Sequence, residues 1–115
     1  MAMDEVIKKV SEMPSDKKGY IAGIRYYYDI IMRAPGLSQN RAVYRVLTDF
    51  GMELEDLTKY EDSTSVINLS EKFMKLYPDG EIHELLDSQI LRTALDGISE
   101  CLYRLKIEFH LERWK

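Results

Sequence analysis

The chain has 115 residues, 45% of them hydrophobic and 31% charged, and carries a net charge of −4. This is the profile of one globular domain, residues 1–115, with enough apolar side chains for its own core. No run of about 18 apolar residues exists to span a membrane as a helix. Cys101 is the single cysteine, so neither a disulfide framework nor a cysteine metal cluster is expected. The stretch Met1–Lys9 is charged and lacks an apolar signal core, which points to the cytoplasm.

Taken in order, the first predicted helix runs from Asp4 to Met13, with Val6, Ile7, Val10 and Met13 on one face, and Pro14 stops it. Ser15 or Asp16 is placed to cap the second, which runs to Arg33 through Ile21, Ile24, Tyr28, Ile31 and Met32. The segment Tyr20–Met32 also alternates and is rich in β-branched and aromatic residues, so a strand is its rival reading; its length favours helix. Pro35-Gly36 makes a turn. Ser38 caps a third helix to Phe50, burying Ala42, Val43, Val46, Leu47 and Phe50, with Gly51 as its terminal glycine. A short acidic helix follows over Glu53–Tyr60, and a fifth carries Val66, Leu69, Phe73, Leu76 and Tyr77. Pro78-Asp79-Gly80 then introduces the last. Six helices with short connections predict an all-α bundle.

The last helix is the strongest signal. Leu91, Leu95, Ile98, Leu102, Leu105 and Phe109 recur at steps of four and three, the alternation of a helix packed along a seam. Helical patterning from Glu81 to Arg113 would make a rod of about 50 Å. A compact chain of this size is only about 35 Å across. The phase passes through Gly97 without a slip, which favours one rod over two helices bent there. A second stripe, Tyr103, Ile107, Leu111 and Trp114, is left over for a partner, most simply a second copy packed isologously as a homodimer.

Chemical signatures are missing. His83 and His110 are the two histidines, far apart on the one predicted helix, and His83 with Asp87 supplies two ligands where a cation needs more. There is no glycine-rich phosphate loop and no nucleophile turn. The expectation is therefore a non-enzymatic protein with no catalytic residues, cofactor, metal or small-molecule substrate, acting on another macromolecule.

Charge is uneven: residues 1–50 are net +2 and residues 51–115 net −6. Between Asp29 and Asp49 there is no acid, and Arg33, Arg41 and Arg45 fall in that window. The stretch from Gly36 to Leu47 includes Ser38-Gln39-Asn40-Arg41 and Val43-Tyr44-Arg45-Val46-Leu47. It resembles the turn and recognition helix of helix-turn-helix DNA-binding proteins, particularly the winged-helix kind. One extra residue after Ser38 rotates the presented face by about 100° from that pattern. The resemblance implies a dimeric DNA-binding regulator in which Arg33, Ser38, Gln39, Asn40, Arg41, Tyr44 and Arg45 meet phosphates or base edges. A ribbon-helix-helix variant would make Tyr20–Met32 the strand. Tyr26-Tyr27-Tyr28 adds a further demand, because three consecutive helical residues cannot all face one core.

Overall fold

A computed structural model describes residues 3–34, 37–39, 41–76 and 89–111. They form five α-helices and one 3-10 turn: α1 (Met3–Ser11), α2 (Lys17–Met32), the turn Leu37–Gln39, α3 (Arg41–Tyr60), α4 (Ser63–Met74) and α5 (Gln89–Glu108). No strand occurs among the described residues. The all-α expectation therefore holds, with five α-helices described instead of six. Tyr20–Met32 is helical, which removes the strand that a ribbon-helix-helix arrangement requires.

Side-chain caps fix where the helices begin. Asp16, with extended backbone, accepts a hydrogen bond from the Gly19 N–H at 2.8 Å and starts α2. Asp62 does the same for α4 by accepting from the Ser65 N–H at 2.8 Å. Gly19 is needed here for space: a Cβ would overlap the Pro14 carbonyl as the chain turns out of α1.

Four helices make the bundle. Tyr27 of α2 lies on Gly97 of α5, Gly23 faces the Cys101 sulfur, and the Lys17 ammonium sits 4.4 Å from the Phe109 ring centroid. Rising numbers on α2 thus meet falling numbers on α5, so the pair is antiparallel. The same holds for α2 and α3, where Arg25 reaches Glu55 at 3.3 Å and the Tyr28 hydroxyl donates to the Leu47 carbonyl at 3.0 Å. Helices α3 and α4 fold back across Glu61-Asp62, with the Phe50 and Phe73 rings 6.0 Å apart. Packing of α4 on α5 closes an up-and-down bundle.

The shared core is built at helical spacing from each element. Ile24 and Ile31 of α2, Leu47, Phe50, Leu54 and Leu57 of α3, Leu69 of α4, and Leu95, Ile98 and Leu105 of α5 are all but sealed from solvent. Each such side chain contributes roughly 1.5–3 kcal/mol of apolar burial. Against expectation Ala42 is exposed and Val46 only half-buried, while Tyr27 and Ile30 join the core.

The structure differs from the sequence reading at several points: α1 ends at Ser11, and Ser38 lies in the 3-10 turn, with α3 starting at Arg41. Gly51 does not end a helix: α3 passes through it and absorbs the short acidic helix. A Cβ there would overlap the Tyr28 hydroxyl, so the glycine makes room for α2. Helix α5 is continuous at Gly97 but stops at Glu108 instead of Arg113. His110 takes a positive φ of 59°, its N–H reaches the Ile107 carbonyl at 3.0 Å, and the Leu111 N–H reaches that of Lys106 at 2.6 Å. This is a Schellman cap, with histidine where glycine is commonest. The described α5 has 20 residues, about 30 Å of helix, and fits within a molecule measuring 36 × 30 × 23 Å. The expected overhang is absent at the C-terminal side of the described residues; 81–88, with His83 and Asp87, lie outside them, as do Tyr77 and Pro78-Asp79-Gly80.

Candidate interaction surfaces

The second stripe of the C-terminal helix divides. Tyr103 and Ile107, one turn apart, remain 61% and 40% exposed. Leu111 does not continue their line; the reversal at His110 folds it back against the core. Trp114 lies outside the described residues. The face that carries Tyr103 and Ile107 includes Asp96 and Glu100 at the same four-three-four spacing, both exposed. Glu100 accepts a 2.7 Å hydrogen bond from Arg104 on the neighbouring edge. The surface is thus an apolar pair with a charged flank, held on a capped helix.

The arginine-bearing region sits where α2 ends and α3 begins. Arg33 follows the last turn of α2 and is exposed; Arg41 and Arg45 occupy the first two turns of α3 and are exposed. Tyr44, 42% exposed, lies between them, and its carbonyl accepts from the Thr48 hydroxyl at 2.8 Å. Gln39 is exposed in the 3-10 turn, which Leu37 anchors in the core. Asn40, the side chain of Ser38 and Pro35-Gly36 lie outside the described residues. Among the described residues Arg33, Arg41 and Arg45 make no ion pair, whereas Arg25 engages Asp29 and Glu55. The N-terminal turn of a helix also carries the positive end of its dipole, so Arg41 and Arg45 add to that potential.

The relation between α2 and α3 departs from a helix-turn-helix. There the two helices cross at about 90–120° and meet near the turn. Here they lie side by side, from Tyr28 against Leu47 to a groove of about 420 Å³ between Lys18 and Ile21 on α2 and Glu55 and Thr58 on α3.

The tyrosine triplet serves packing in two directions. Tyr27 turns to α5, where burial raises its phenol pKa above the usual value. Tyr28 turns to α3 and stacks on Phe50 at 5.7 Å. Tyr26 is half-buried, its ring 5.9 Å from that of Tyr27. Cys101 is buried, and desolvation pushes its thiol up to about 11, as expected of a core filler. The sequence reading passed over Met52, Tyr60 and Met74, exposed at 65%, 57% and 64%. Met52 could have been found, because it falls opposite the Val43–Leu47–Phe50–Leu54 phase. Singly exposed apolar residues of this kind are common on protein surfaces.

No helix of the described residues is long and apolar enough to cross a membrane. Compared with protein-family models, curated proteins and solved structures, the chain matches none of them.

Proposed function

We propose that this chain is a small, non-enzymatic helical module of the cytoplasm that acts by protein–protein association through the outer face of α5, most simply with a second copy of itself. The observation that supports this reading is the pair Tyr103 and Ile107, a ring and a branched chain left in solvent one turn apart on a capped helix. Covering them contributes about 1.5–3 kcal/mol for each fully buried side chain. Association costs about 4–15 kcal/mol in lost rigid-body freedom. Two apolar residues per copy therefore make a weak contact unless further surface joins. Sedimentation equilibrium up to about millimolar protein, a range set by that balance, tests it. Wild type is expected to associate and Ile107→Glu or Tyr103→Glu to remain monomeric. A wild type that stays monomeric throughout overturns self-association.

A second reading is favoured by three exposed arginines that make no ion pair among the described residues: contact with nucleic acid through Arg33, Arg41 and Arg45, beside Gln39 and Tyr44. The side-by-side pairing of α2 and α3 favours phosphate contacts over insertion of a recognition helix. The reading ranks second because residues 51–115 are net −6, a charge that repels phosphate. Binding to random duplex DNA should fall steeply between 50 and 200 mM salt, as phosphate contacts demand, and weaken in the double variant Arg41→Ala/Arg45→Ala. Absence of binding at low salt removes the reading.

A further inference from the structure

We draw no further inference here: the strongest candidate, the groove of about 460 Å³ between α2 and α5 beside Gly19, Gly23, Gly97 and Cys101, rests on a stripe of small residues and a lone cysteine, with nothing in the structure to show what would occupy it.

Discussion

The ring of Tyr27 lies on the bare backbone of Gly97, and a methyl group at position 97 would overlap its Cε2 and Cζ. The two residues fix how closely α2 and α5 approach. In a free helix, alanine is better than glycine by about 1 kcal/mol. Here the ring is buried against the glycine, so Gly97→Ala is expected to destabilise the fold by about 1–3 kcal/mol, the usual range for overpacking. Tyr27→Ala removes the obstacle. In urea melts the double variant Tyr27→Ala/Gly97→Ala should then be less destabilised than the two single losses added together. Additive losses would mean that the ring and the glycine do not couple.

Asp62 links pH to stability. Hydrogen bonds from the Ser65 hydroxyl, and then from its backbone N–H, hold this carboxyl below its usual pKa. A lowered folded-state pKa gives stability that is present above the unfolded value, near 4, and lost as pH falls through the folded one. Melting temperature should therefore drop as pH is lowered through and below that unfolded value. Asp62→Asn keeps an acceptor at the cap without the titration and should flatten part of that drop. An unchanged slope would show that the cap is not the cause.

Cys101 should be chemically quiet in the folded protein. With its thiol pushed up to about 11, it holds about a hundredfold less thiolate at pH 8 than a thiol at 9, and the thiolate is the reacting form. A water-soluble alkylating reagent should leave the native chain unmodified while labelling it readily in urea. Equal rates in both conditions would contradict burial against Gly23.

Ser70 is 2% exposed, and among the described residues its hydroxyl finds no hydrogen-bond partner. A buried polar atom left unsatisfied costs about 1–3 kcal/mol. Ser70→Ala keeps the small volume and removes the cost, so urea melts should show a stability unchanged or higher by about 1 kcal/mol. A clear loss would reveal a bond to this hydroxyl.

His110 holds the left-handed turn that ends α5, with φ of 59°. A non-glycine residue in that conformation costs about 1–2 kcal/mol, partly offset by the greater unfolded-state freedom of glycine. His110→Gly should raise the melting temperature modestly and leave the helix end at Glu108. A fall in stability would show that the imidazole makes contacts of its own.

Much of this architecture was legible in the chain. The stripe Leu95, Ile98, Leu102 and Leu105 is buried as its spacing predicts, and Asp16, one of the two residues expected to cap α2, does so. Such signals are local: a helix repeats every 3.6 residues whatever it packs against, and a cap is satisfied within one turn. The exposed state of Arg41, Arg45, Tyr103 and Ile107 also follows from phase, since they fall off the buried stripes.

What only the tertiary structure decided turns on missing atoms and distant neighbours. Gly51 reads as a helix stop because glycine usually ends helices, yet it serves as the seat of Tyr28, a residue 23 positions away. Leu111 fits the outer stripe by spacing, but the reversal at His110 returns it to the core. A glycine's contribution at a helix contact is empty space, and empty space has value only when a particular ring arrives to fill it. The sequence lists the residues but not the approach of α2 to α3 and α5, so that choice belongs to packing.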